Sequence, residues 1–142
     1  MLRAVLLPLL FVFLVPQEMP DTVTFLVDNR NNEDGYLHTV CVNRTTQLGY
    51  VQPAGITFIK VAWERLCPGG DIMINFPTRY ITFPNPRIVW NQIRGVLICT
   101  RRMSGKLVFA NRELQLADAT YAPQHCNRLM DWSDETVLPS ST

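Results

Sequence analysis

An excess of either charge is what this sequence most plainly lacks. Its 142 residues hold 13 Lys and Arg against 12 Asp and Glu, and without Arg3 the two signs balance. Such a chain carries no electrostatic footprint for nucleic acid or an anionic membrane surface, so nucleic acid is not an expected partner. Closely spaced cysteines are missing too: Cys41, Cys67, Cys99 and Cys126 stand 26, 32 and 27 residues apart, which excludes Cys-x-x-Cys redox and zinc-knuckle sites. There are only two histidines, His38 and His125. Beyond the N-terminus no apolar run approaches the roughly 20 residues of a membrane-spanning helix, so no stable membrane insertion is expected. No apolar period of 3.6 persists over three turns, and there is no internal repeat or low-complexity tract. A hydrophobic content of 47% argues against disorder.

What is present begins with Met1-Leu2-Arg3 and an apolar stretch from Ala4 to Val15, interrupted by Pro8. A charged tip before a short hydrophobic run is the layout of a secretory signal peptide. Pro8 and Pro16 oppose a long buried helix. The expected organisation is a signal peptide at 1–20, a single domain at 21–136 and a flexible tail at 137–142, cleavage falling between Val15 and Thr22. Export to an oxidising compartment makes the four cysteines candidates for two disulfides, with three connectivities open. Asn43-Arg44-Thr45 is the one glycosylation sequon; a glycan at Asn43 would place the segment from Cys41 to Gly49 in a solvent-facing loop. The chain is thus expected to be a secreted, extracellular glycoprotein.

Short apolar stretches alternate with turn signals, the texture of a β-protein. Strands are expected at Thr22–Val27, Tyr36–Val42, Ile56–Trp63, around Ile72, Ile74 and Phe76, at Ile88–Trp90 and at Ile93–Cys99. Val96-Leu97-Ile98 is the most apolar triplet after the signal. The run Asp28-Asn29-Arg30-Asn31-Asn32-Glu33-Asp34-Gly35 is a dense turn signal. Pro77, Pro84 and Pro86 fit edge strands and connections. Lys106–Phe109 and Glu113–Leu116, after a Ser104-Gly105 turn, form a candidate hairpin, and Asn127–Trp132 a candidate short helix. Seven to nine short strands predict an all-β, disulfide-stapled sandwich, with a barrel as second choice.

No catalytic constellation emerges. His125 adjoins Cys126, but strand neighbours point to opposite faces, and Cys126 is better explained by a disulfide. His38-x-x-Cys41 has no second pair to complete a metal site. No serine sits in a Gly-x-Ser-x-Gly elbow, and no cofactor is implied. Arg101 and Arg102 form the one local basic spot. With Trp63 and Trp90 they make the candidate binding surface, since exposed aromatics mark interfaces; Trp132 is a further aromatic of the core or rim. The rival to a binding role is a small secreted hydrolase using Asp131, Asp134, Glu135 or His125, which requires at least two of them to converge in a cleft.

Arg94-Gly95-Val96-Leu97-Ile98-Cys99, Val108, Leu114-Gln115-Leu116-Ala117-Asp118 and Asn127-Arg128-Leu129-Met130-Asp131 together resemble the opening half of the transthyretin-like secreted proteins of nematodes. Ile74-Asn75-Phe76-Pro77-Thr78-Arg79-Tyr80-Ile81 is similar to the closing half of that family. The two segments stand in inverted order, as in a permuted domain or a fusion of two part-domains. The resemblance implies a β-sandwich with a secreted role in binding or signalling between cells. Leu37-His38-Thr39-Val40-Cys41, Leu48-Gly49 and Gly55-Ile56-Thr57-Phe58 are similar to the start of the plant self-incompatibility S-proteins, which are also small secreted sandwiches. The expectation is a non-enzymatic interaction protein: a ligand, recognition module or small carrier. Its partner would be an extracellular protein, a cell-surface receptor or a small apolar molecule, met by an exposed apolar or aromatic patch on one sheet.

Overall fold

The structure, a computed structural model, describes residues 22–67, 70–83, 92–102 and 104–130. The expected signal segment, the strand expected at Ile88–Trp90, Asp131, Trp132, Asp134, Glu135 and the expected 137–142 tail lie outside the described residues. Among the described residues eight strands form two four-stranded sheets. They are β1 Thr22–Asn29, β2 Gly35–Val40, β3 Thr45–Val51, β4 Gly55–Ala62, β5 Asp71–Asn75, β6 Tyr80–Phe83, β7 Gly95–Arg101 and β8 Ser104–Ala110. Among the described residues one α-helix, α1, runs from Ala122 to Met130. The first sheet has the order β4-β1-β7-β8 and the second β3-β2-β5-β6. All pairings are antiparallel except β1 with β7. The expected all-β sandwich is therefore what the chain forms. No helix among the described residues is long and apolar enough to cross a membrane.

The two layers meet in one apolar core. Val23, Phe25 and Val27 of β1 and Val96 and Ile98 of β7 face Leu37, Ile72, Ile74, Ile81 and Phe83 of the other sheet. Residues on both sides of the proline-dense 77–86 stretch thus share this core. The alternate residues of β1 and β7, Leu26, Leu97 and Cys99, are buried on the opposite face, against Leu114 and α1. A strand covered on both faces needs apolar residues at every position, which accounts for the Val96-Leu97-Ile98 triplet. In the second sheet β2, β5 and β6 alternate buried residues, on the inner face, with more exposed ones.

Two disulfides join Cys41 to Cys67 and Cys99 to Cys126, leaving no free cysteine. The turn expected at Asp28–Gly35 is shorter, since Asp28 and Asn29 end β1 and Gly35 opens β2, and at this end of the sandwich buried asparagines replace apolar packing. Asn29 donates from Nδ2 to the Glu33 and Gln52 carbonyls, and its Oδ1 accepts from the Asn31 backbone and the Thr100 hydroxyl. The Asn31 Oδ1 then accepts from Arg79 and from the Arg102 N–H. Buried backbone groups that would otherwise lack partners are satisfied this way.

Four further expectations are corrected. The segment after Asn43 is no loop to Gly49: Thr45–Val51 is β3, an edge strand, with Leu48 and Val51 in the core. Ser104 and Gly105 belong to β8, and the β7–β8 turn is made instead by Arg102, whose φ of 56° supplies the left-handed conformation a tight turn needs. Glu113–Leu116 is not a strand. It leads into a 3-10 helix, Leu116–Thr120, opened by Gln115 and Asp118 in a reciprocal capping box. The helix expected at Asn127 begins five residues earlier, at Ala122, with Pro123 in its first turn, where a missing N–H costs nothing.

Candidate functional site

Two unlike surfaces result, one on the outside of each sheet. On the first sheet, Phe58, Leu26, Leu97 and Val108 lie side by side in register on β4, β1, β7 and β8. Helix α1 covers part of this row, tied down by the Cys99–Cys126 disulfide. Arg30 adds a second tie, donating to the Asn127 side chain and the Pro123 carbonyl while pairing with Asp28 at 3.3 Å. Between the helix and β8 a cleft of about 400 Å³ remains, floored by Leu26, Leu97, Val108 and Ala110 and walled by Leu114 and Ala122.

The cleft has a polar rim of Arg112, Asp118, Tyr121 and His125. Arg112 grips Asp118 through two bonds of 3.1 and 2.9 Å, and the Gln115 backbone N–H donates to the same carboxylate. Arg112 first, and then that backbone N–H, hold the Asp118 carboxyl below its usual range, so it stays ionised. His125 Nδ1 lies 2.7 Å from the Arg128 guanidinium. Because arginine can only donate, Nδ1 accepts, and in the neutral ring Nε2 carries the proton. Cys126 and His125 stand on a helix rather than a strand. One faces the sheet and the other the cleft rim because neighbours there are about 100° apart.

The second sheet is bare on its outside among the described residues. Tyr50, Tyr36, Asn75 and Tyr80 form a row across β3, β2, β5 and β6. The tyrosines are 46%, 42% and 60% exposed, too much for core residues. Tyr36 and Tyr50 meet edge to face at 5.6 Å, and the Tyr50 hydroxyl donates to Asp34. A second row places His38 between Gln47 and Met73, with Thr82 beyond. Both His38 ring nitrogens are buried and lack hydrogen-bond partners among the described residues, and burial lowers its pKa. A hollow of about 160 Å³ lies beside the middle of the tyrosine row, lined by Asp34, Tyr36, Asn75 and Pro77.

The candidate residues named above do not converge. Trp63 is half-buried against the core, with the Arg94 guanidinium 5.8 Å above its ring. It follows Ala62, which pairs with Thr22 at one end of β1, whereas Arg101 directly follows Thr100, the register partner of Asn29 at the other. That is a separation of about 20 Å along a strand. Trp90 lies outside the described residues. Asn43 is exposed in the β2–β3 connection, beside a hollow of about 480 Å³ next to the Cys41–Cys67 bridge. Of the hydrolase candidates, His125 lines the cleft, and the other three lie outside the described residues. Among the described residues no three His, Cys, Asp or Glu cluster as a metal site would require.

The tyrosines, Arg112, Asp118 and Tyr121 were not singled out from sequence. The signals existed: Tyr36 and Tyr80 each alternate with buried neighbours, and Gln115-x-x-Asp118 has capping-box spacing. No protein-family model matches the chain, and neither a curated protein nor a solved structure matches it.

Proposed function

We propose that this chain is a secreted, non-enzymatic binding protein that meets an extracellular protein or cell-surface receptor through the outer face of its second sheet. The observation that carries this reading is the row of three exposed tyrosines in register on the outer face of one sheet. Tyrosine offers a large, stiff contact surface with a polar tip, which is why it is enriched at interfaces. The rigid sheet holds the three rings in fixed positions and lowers the entropy lost on binding. Export is supported by the N-terminal signal pattern and by two disulfides, which persist in oxidising compartments. A glycan on exposed Asn43 belongs to the same reading.

The non-enzymatic part is our reading of the cleft rim, where the Asp118 carboxylate is held by Arg112. Kinship with the transthyretin-like secreted proteins is part of the proposal. The segments carrying that resemblance, Arg94–Cys99 and Ile74–Ile81, fall on β7 and on β5–β6 of one sandwich.

The test is binding of the labelled, glycosylated protein from an oxidising host to intact cells of its source. Saturable binding should weaken at least about tenfold in the combined Tyr36→Ser and Tyr80→Ser variant, as central aromatic contacts do. Unsaturable binding, or an unchanged Kd in a variant with native near-UV dichroism, would overturn the reading.

A further inference from the structure

We infer that the cleft between α1 and β8 is a binding site for a small, neutral, mostly hydrocarbon molecule ending in one hydroxyl or carbonyl group. The floor sets the first half of this chemistry. Leu26, Leu97 and Val108 stand in register on three adjacent strands, and Ala110 continues the surface along β8. At about 400 Å³ the space falls in the range of small-molecule sites, which combine apolar walls with a few convergent polar groups.

The rim sets the second half by what it does with charge. Arg112 and Asp118 neutralise each other through two bonds, and a backbone N–H takes up part of the remaining capacity of the carboxylate. An anionic head would have to compete with Asp118 for Arg112, and a cationic head would have to compete with Arg112 for Asp118. Neither finds a free counter-charge among the described rim residues. What the rim still offers is hydrogen bonding: the Nε2–H of His125, left as the donor because Nδ1 accepts from Arg128, and the hydroxyl of Tyr121. One donor and one donor-acceptor at the mouth of an apolar cleft suit an alcohol or a carbonyl.

This site is on the opposite sheet from the tyrosine row, so different variants report on the two readings. The test uses the full secreted chain and three ligands that differ only in head group: 1-decanol, decanoate and decylammonium. Each is titrated against the neutral fluorescent probe N-phenyl-1-naphthylamine at pH 7.5. The expected result is displacement by 1-decanol at a concentration at least tenfold below that needed of either ion. Asp118→Asn, which frees Arg112 without changing shape, should shift the preference towards decanoate. Arg112→Gln should shift it towards decylammonium. Ala110→Trp, which fills the cleft, should abolish displacement while Tyr36→Ser leaves it unchanged. Equal or tighter binding of decanoate to the unaltered chain, no displacement by any of the three, or full binding by a folded Ala110→Trp variant would each overturn the proposal. So would a dimer in solution that dissociates on Ala110→Trp substitution, since a second copy would then be the occupant.

Discussion

His38 carries an unbalanced burial. Its ring lies on the outer side of β2 between Gln47 and Met73, with Tyr36 and Val40 on its own strand, and none of these is charged near neutral pH. Its ring nitrogens are buried without partners among the described residues. Removal from water disfavours the imidazolium, and the pKa falls below 6.5. The unfolded chain therefore takes up a proton at a higher pH than the folded one. By linkage, stability is flat above about pH 6.5 and falls as the pH drops from there towards the lower folded value. Asp118 works in the same direction, its contribution also falling on acidification, but in a different window. Its carboxyl is depressed by Arg112, so that contribution is present above 3.8 and is lost only in more acidic solution. Urea midpoints at pH 7.5 and 5.5 should thus differ in the unaltered protein, lower at pH 5.5, and the difference should shrink in His38→Gln. Equal midpoints in the unaltered protein would remove His38 as a source of acid sensitivity.

Strands announce themselves in sequence only where one face is wet or a run is long enough to be buried on both. The alternation of Ile72, Ile74 and Phe76 with Met73 and Asn75 made β5 legible, and the apolar triplet marked β7. β3 was not legible because Thr45–Val51 is an edge strand of threonine, glutamine and glycine with core contacts at Leu48 and Val51. The β7–β8 turn was misplaced for a related reason. Ser104-Gly105 looks like turn chemistry, but glycine at 105 serves a close approach: a Cβ there would stand 2.3 Å from the Phe83 ring and 3.0 Å from the Cys99 carbonyl. β8 and β6 can approach at the edge of the sandwich only while position 105 has no side chain. Gly105→Ala should accordingly cost about 1–3 kcal/mol, the range for overpacking a well-filled site. The readout is the thermal midpoint together with amide exchange along β6 and β8. A neutral or stabilising effect would show that Phe83 can turn aside and that the glycine serves nothing but backbone freedom. The cleft was the least legible feature, since its lining comes from β1, β7, β8, the following loop and α1, and no local pattern brings those together.

For the whole molecule, the question is how two layers joined mainly by apolar side chains are divided between two covalent ties. Neither disulfide crosses from sheet to sheet. Cys41–Cys67 links the segment after β2 to the segment before β5, the neighbouring strands of the second sheet, while Cys99–Cys126 fastens α1 to the outside of the first. The sequence supplied the count of these cysteines but left three pairings open, because pairing depends on strand neighbours that only the topology defines. Each bridge closes a loop with a separation of 26 or 27 residues, for which chain-entropy arguments give about 3.5 kcal/mol. The two pairs share no neighbours, so their effects should add, to about 7 kcal/mol, as those of independent sites do. A domain of this size has about 5–15 kcal/mol in all. Either bridge should therefore be dispensable alone, and loss of both should leave the sandwich marginal at 37 °C. The paired variants Cys41→Ala with Cys67→Ala and Cys99→Ala with Cys126→Ala, and the fourfold variant, give the complete cycle in urea. Only the second pair should also loosen α1, seen as faster amide exchange in the helix and weaker probe binding in the cleft. If the fourfold variant lost much less than the sum of the two pairs, the bridges would be restraining the same unfolded segments, and the separation into independently tied layers would fail.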